Sequence, residues 1–295
     1  MKTYFKQNNL EALIKVEMSF KRRFYNHYKG IHKSHATGKN IDFKEHRVYA
    51  QGDDINLLDW KLFARTEKLY IKQFEETVSC KILVILDKSA SMAFSANTIS
   101  DKLEYGKYLF ALMYSFFIKQ GDSVSLSIFD EKLHSVFPFY RTGEHIPNID
   151  TQLRKIEAKG ITDFASFSSQ STKSAVEKPD IIFILSDMIA SGESILQFIK
   201  DIKTPQNEVI FFQLVESSEE FFNFSGERIF YDNETGKEIL LNTDNVKEMY
   251  LNYFHKHVDS IRKNAEKHGC LYYKFRVDIP YFENFMNFLK NYRKN

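Results

Sequence analysis

From residue 81 onward, short and nearly unbroken apolar runs alternate with longer amphipathic stretches. KILVILD (81–87), DIIFILSD (180–187) and EVIFFQLV (208–215) are apolar almost throughout, the pattern of strands buried on both faces. KLEYGKYLFALMYSFFIKQG (102–121) predicts a helix ending at Gly121, SVSLSIF (123–129) and HSVFPFY (134–140) two strands joined by the Asp130-Glu131-Lys132 turn, and 143–158 and 164–177 two further helices. ILQFIKDIK reads as a short helix, 245–268 as a long one, CLYYKFRV as a strand and YFENFMNFLKNYR as a closing helix, with a polar insertion at 216–244. Buried strands alternating with helices predict an α/β fold built on a doubly wound, mostly parallel sheet, with the 123–140 hairpin as an antiparallel edge.

The first 79 residues follow a different pattern. Leu10, Leu13, Ile14, Met18 and Phe24 fall near helical spacing within 9–28, residues 29–67 are polar and irregular, and Leu69–Glu75 alternates like a strand. With no repeat and no Pro- or Gly-rich linker, the expected organisation is an N-terminal extension, 1–79, packed on one core domain, 80–295.

Charge narrows the function classes. The net charge of +2 excludes the strongly basic footprint of a dedicated nucleic-acid binder. It hides an asymmetry, because residues 1–75 carry 15 basic against nine acidic side chains, a net of +6, and the remainder 26 against 30, a net of −4. The longest apolar stretch, Tyr108 to Ile118, is far short of the roughly 18 to 20 residues a spanning helix needs. The opening MKTYFKQNNLEALIK lacks the apolar core of a signal peptide, and Cys80 and Cys270, 190 positions apart, form neither a disulfide framework nor a cysteine zinc site. A cytoplasmic protein without a transmembrane segment is expected, peripheral membrane association remaining compatible with the basic first part.

In doubly wound folds ligands bind beyond the carboxyl ends of the strands. The first core strand there runs into Asp87-Lys88-Ser89-Ala90-Ser91, a later loop holds Thr162, and the strand 180–187 ends in Asp187. Hydroxyl and carboxylate oxygens brought together in this way suit a small hard cation such as Mg²⁺, or Mn²⁺, which keeps several waters. The competing reading is that Ser89, Ser91 and Thr162 cap turns and helices.

This D-x-S-x-S sequence after a first strand, followed in order by a Thr in a loop and an Asp closing a later strand, resembles the metal-ion-dependent adhesion site of von Willebrand factor A domains. The resemblance implies a von Willebrand factor A-like (Rossmann-type) fold. It also implies a metal site in which Ser89 and Ser91 bind directly, Thr162 binds directly or through water, and Asp87 and Asp187 bind mainly through water. From about residue 26 onward the chain is also similar to the bacterial domain-of-unknown-function family 58. The motif elements are Gly30 and His32, Gly38, Asp42-Phe43, Arg47-Val48-Tyr49, Gly52-Asp53-Asp54, Asp59-Trp60 and Ala64-Arg65-Thr66. Members are commonly encoded beside MoxR-type AAA+ ATPases, which implies an adaptor acting with such a partner in assembly or stress response.

Other candidates read as structural. Asp53, Asp54 and Asp59 are expected to pair with Arg47 and Arg65, with Trp60 anchoring the segment on the core, rather than to form a catalytic cluster. His27, His32, His35 and His46 do not fit zinc-ligand spacing, and His255 and His257 point to different faces of one helix. No nucleophile elbow, Walker A sequence or G-x-G-x-x-G loop occurs. The leading expectation is therefore a non-enzymatic, metal-dependent interaction protein that binds an acidic group of its partner. The alternatives are a hydrolase using the same metal with Asp53 or Asp54 as base, and a surface binder of nucleic acid or membrane acting through the basic segment, against which the interleaved Asp42, Glu45, Asp53, Asp54 and Asp59 argue.

Overall fold

The apolar runs at 81–87, 180–187 and 208–215 become neighbouring strands of one sheet in the computed structural model, which describes residues 3–5, 39–95, 101–130, 132–164, 178–231 and 236–292. The helix expected over 9–28, the residues Gly30, Gly38, His27, His32 and His35, and all but the start of the helix expected at 164–177 lie outside the described residues. The chain divides into two compact units, Met1–Lys21 with Cys80–Asn295, and Arg22–Ser79.

In the smaller unit, β1 (Lys39–Val48) pairs antiparallel with β2 (Tyr70–Val78), and a short helix α1 (Trp60–Thr66) lies between them in sequence. The polarity of 29–67 gave no sign of β1 or α1: β1, KNIDFKEHRV, is polar at most positions, so the alternation of a half-buried strand is missing. Asp59 caps α1, its carboxylate accepting from the backbone N–H groups of Lys61 and Leu62, while His46 Nε2 lies 2.9 Å and Lys72 Nζ 3.5 Å away. Arg47 meets Asp53 at 2.6 Å, as the sequence suggested, and Asp54 caps the turn at Ile55–Leu57 by accepting from Asn56 N–H. The Trp60 indole meets Phe63 edge-on within its own helix, ring centroids 6.2 Å apart.

In the larger unit, six strands lie in the order β10 (Leu271–Arg276), β7 (Glu208–Val215), β6 (Ile181–Ser186), β3 (Lys81–Asp87), β4 (Ser123–Phe129), β5 (Leu133–Tyr140). Every neighbouring pair is parallel except β4 with β5, the antiparallel edge hairpin. This is the doubly wound α/β architecture expected of a von Willebrand factor A-like fold. The chain starts at β3, builds outward through β4 and β5, then returns to β6 on the other side of β3, so the topological switch point falls between the C-terminal ends of β3 and β6.

Alternation along the central strands feeds two cores. Ile85, Ile182, Ile184, Val209 and Phe211 pack with Ile195, Phe198 and Ile199 of α4 (Gly192–Ile202) and Ile261 and Ala265 of α6 (Thr243–Lys267). On the opposite face Phe183 and Phe212 meet Phe117 of α2 (Lys102–Lys119) and Phe288 of α7 (Tyr281–Tyr292), with ring centroids 4.9 to 6.1 Å apart. The remaining helices are α3 (Ile146–Lys155) and α5 (Ser217–Phe221), the latter inside the 216–244 insertion, whose other part is the antiparallel pair β8 (Glu227–Tyr231) and β9 (Glu238–Asn242). Helix α2 approaches β3 closely at Gly106, where an added Cβ would lie 2.6 Å from Leu86 Cδ1. At the start of the chain Tyr4 N–H donates to Asp150 of α3 at 2.8 Å and its hydroxyl to Glu104 of α2.

Two outcomes follow from this packing. Gly106→Val is expected to destabilise the protein by about 1–3 kcal/mol in chemical denaturation, because Leu86 is fully buried and has nowhere to retreat. The His46 contact and the capped N–H groups hold the Asp59 carboxyl down at about 2 from its ordinary 3.8, so its stabilising effect is present above pH 3.8 and lost as pH falls through about 2. Asp59→Asn should therefore lower the unfolding temperature at neutral pH, and the gap from the wild type should close on acidification.

Candidate functional site

Strands β3 and β6 are adjacent and parallel, with Leu86 opposite Leu185, so Asp87 emerges beside Ser186 and Asp187 follows one residue further along. Asp87 and Asp187 are both buried at this switch point. Asp87 Oδ1 accepts from Ser89 N–H at 2.9 Å, folding the chain back into a short 3₁₀ turn at Ala90–Ala93, and the Ser89 and Ser91 hydroxyls share a hydrogen bond of 3.0 Å. Ser89 is fully buried and Ser91 partly so. The loop carrying Thr162 runs alongside this turn: Ala90 N–H donates to Gly160 O at 2.9 Å and Lys159 N–H to Lys88 O at 2.7 Å. The structure thus ties the Asp87–Ser91 turn to the Thr162 loop through the backbone, and brings Asp187 beside Asp87 through the pairing of β3 with β6.

Burial, and next the neighbouring Asp187 carboxylate, push the Asp87 carboxyl well above the ordinary range, against the hydrogen bonds from Ser186 and Ser89 that favour its charged form. Ser186 Oγ donates to Asp87 Oδ2 at 2.5 Å and accepts from Met188 N–H at 2.9 Å. Met188 sits at φ +60°, a conformation uncommon for a residue with a side chain, and its carbonyl lies 2.9 Å from His257 Nε2 of α6. The Asp187 carbonyl accepts from Gln213 Nε2 of β7 at 3.0 Å, and Gln213 Oε1 accepts in turn from the Tyr272 hydroxyl of β10.

Two charged residues absent from the sequence-based site complete the surroundings. Lys102, fully buried at the first turn of α2, places Nζ 3.0 Å from Asp187 Oδ2 and 2.6 Å from Glu219 Oε1 of α5. Burial alone would lower its pKa, yet the two carboxylates outweigh that effect and raise it, so Lys102 is a fixed cation. Glu219 is pushed up by burial, an effect opposed by Lys102. One signal of this residue was present in the chain: a lysine in the first turn of an apolar helix is opposed by the helix dipole and calls for a local counter-charge. Ser186 and Gln213 gave no comparable signal.

The fit of these residues to a hard cation can be judged on their chemistry. The donor set is two carboxylates and three hydroxyls, all hard oxygens. The Thr162 hydroxyl oxygen is buried and has no hydrogen-bond partner among the described residues, a costly state unless something else supplies one. The set therefore fits. The described residues hold no cluster of three or more His, Cys, Asp or Glu side chains placed for a metal, and His46, the described member of the histidine group, faces Asp59. No helix among the described residues is long and apolar enough to cross a membrane.

The solved structures similar to this chain include the conserved hypothetical protein BatB from Bacteroides thetaiotaomicron, at 12% identity and a TM-score of 0.45, covering 73% of this chain and 99% of that one. An aerotolerance-related membrane protein from Bacteroides fragilis matches at 15% identity and 0.46, covering 73% and 99%. The SpRpn10 VWA domain matches at 10% and 0.45, covering 71% and 95%. At such scores the fold assignment stands on the strand order itself. Comparison with curated proteins finds no match. Residues 45–260 match the family described as "Protein of unknown function DUF58". Because that match runs from β1 through both strand ends of the crevice and into α6, the chain belongs to the DUF58 family.

Proposed function

We propose that this DUF58 protein is a non-enzymatic interaction module that recruits a protein partner through Mg²⁺, or a similar hard ion such as Mn²⁺, held by Asp87, Ser89, Ser91, Thr162 and Asp187. The observation that carries the reading is the buried Thr162 hydroxyl, which has no hydrogen-bond partner among the described residues, in a loop bonded to the turn that bears Asp87, Ser89 and Ser91. A bound cation supplies that oxygen's missing interaction and relieves the repulsion between the two carboxylates. Two carboxylates and three hydroxyls leave room in an octahedral shell that keeps several waters, so an acidic side chain of a partner can enter it.

A von Willebrand factor A-like fold in a family of unknown function suits an interaction role, and the family resemblance makes a MoxR-type AAA+ ATPase the partner of choice. Hydrolysis with Asp53 or Asp54 as base is the weaker reading. Asp53 accepts from Arg47 and from Ala50 N–H, and Asp54 caps its own turn, so both carboxylates are engaged in local structure.

Recovery of partners from native cells with and without Mg²⁺ tests this, with Asp87→Ala as control and the partners identified by mass spectrometry. Capture is expected to fall at least about tenfold in EDTA and in the variant while both proteins stay folded, a loss of roughly 1.4 kcal/mol or more. Capture that survives both treatments sinks the metal-bridged reading. Thr162→Val gives a sharper check. Replacing a buried hydroxyl that lacks a partner should leave the metal-free unfolding temperature unchanged or raised, while Mg²⁺ binding by calorimetry weakens.

A further inference from the structure

Asp187 faces two ways in the crevice. Its Oδ2 is 3.0 Å from the buried Lys102 ammonium, its Oδ1 accepts a long hydrogen bond, 3.3 Å, from Ile189 N–H, and the carboxylate is close enough to Asp87 to raise that residue's pKa. Lys102 is enclosed by charge and aromatic surface, with Glu219 at 2.6 Å and the ring of Phe94 at 5.5 Å from its Nζ. A buried ammonium between two carboxylates is costly to place unless both counter-charges are present, and the segment carrying Glu219 is held in position by its own capping box, in which Glu219 accepts from Glu216 N–H at 2.9 Å. Lys102 donates to none of the hydroxyls of Ser89, Ser91 or Thr162 in the hydrogen bonds of the described residues, so it stands beside the candidate cation position rather than in it.

We propose that the buried Lys102–Glu219 pair is a built-in counter-ion device that sets the divalent-cation affinity of the Asp87–Asp187 crevice and keeps Asp187 neutralised when no cation is bound. The inference rests on the reading of that crevice as a cation site. Lys102 repels an incoming divalent ion and competes for Asp187, whereas Glu219 cancels part of that repulsion. The two residues therefore act in opposite directions on affinity, Lys102 through its contact with Asp187 and Glu219 through its contact with Lys102. The site consequently binds its ion reversibly, and the crevice persists in the metal-free protein instead of collapsing or unfolding.

Opposite signs make the device testable on the full chain with Mn²⁺ as probe, its free concentration read by electron paramagnetic resonance. Lys102→Met is expected to tighten Mn²⁺ binding by about tenfold or more and Glu219→Gln to weaken it, because charges of opposite sign are removed at nearly the same place. The double variant, which deletes a neutral pair, should return close to the wild-type affinity. In EDTA the unfolding temperature of Lys102→Met should drop, since Asp187 and Glu219 lose their shared counter-charge, and saturating Mn²⁺ should recover more of it than it adds to the wild type. A merely structural role predicts weaker binding in both single variants. That result, or unchanged affinity in both, overturns the proposal while the cation site itself stands. Absence of Mn²⁺ binding in the wild type and in every variant overturns the cation site, and the counter-ion device with it.

Discussion

Two carboxylates that end neighbouring parallel strands, with almost no solvent to share, set the terms for everything around them. Asp87 and Asp187 are forced together because β3 and β6 pair at the point where the chain reverses its direction across the sheet. Like charges in a buried crevice must be neutralised by protonation, by hydrogen bonds or by a cation. The structure supplies hydrogen bonds from Ser186 and Ser89 N–H to one carboxylate and an ammonium to the other. The backbone around them is committed accordingly, including the uncommon conformation of Met188 held from both sides.

The same arrangement separates the tasks of the two faces of the sheet. The aromatic packing beneath α2 and α7 and the aliphatic packing beneath α4 and α6 fix the strands, and neither core contains the polar groups of the crevice. Those groups gather at the carboxyl ends of the strands, in the loops and at the first turns of the helices that follow, such as Lys102 in α2 and Glu219 in α5. The 216–244 insertion, which the sequence showed only as a polar interruption, takes part through one glutamate on a five-residue helix.

The large unit was legible in the sequence because its signals are local. Continuous apolar runs gave β3, β6 and β7, and a tight polar turn gave the β4–β5 hairpin. Asp87, Ser89 and Ser91 were visible as a motif, and Thr162 and Asp187 by their order behind it. What the sequence did not disclose depends on partners distant along the chain or on surfaces without periodicity. Lys102 and Glu219 are separated by 117 positions, and nothing near either names the other. Strand β1 escaped notice because its sequence is polar at most positions and does not alternate.

The hydrogen-bonded chain from Asp187 through Gln213 to Tyr272 has a kinetic meaning. It links the crevice at the centre of the sheet to its outermost parallel strand, β10, whose register on β7 sets Tyr272 opposite Phe211, two residues before Gln213, so the phenol reaches the amide diagonally across the strands. Parallel pairings close long loops and are intrinsically slow to form. The polar groups around the crevice are drawn from segments spread between Asp87 and Tyr272, so their arrangement depends on the pairing of the outer strand as well as on that of the two central ones.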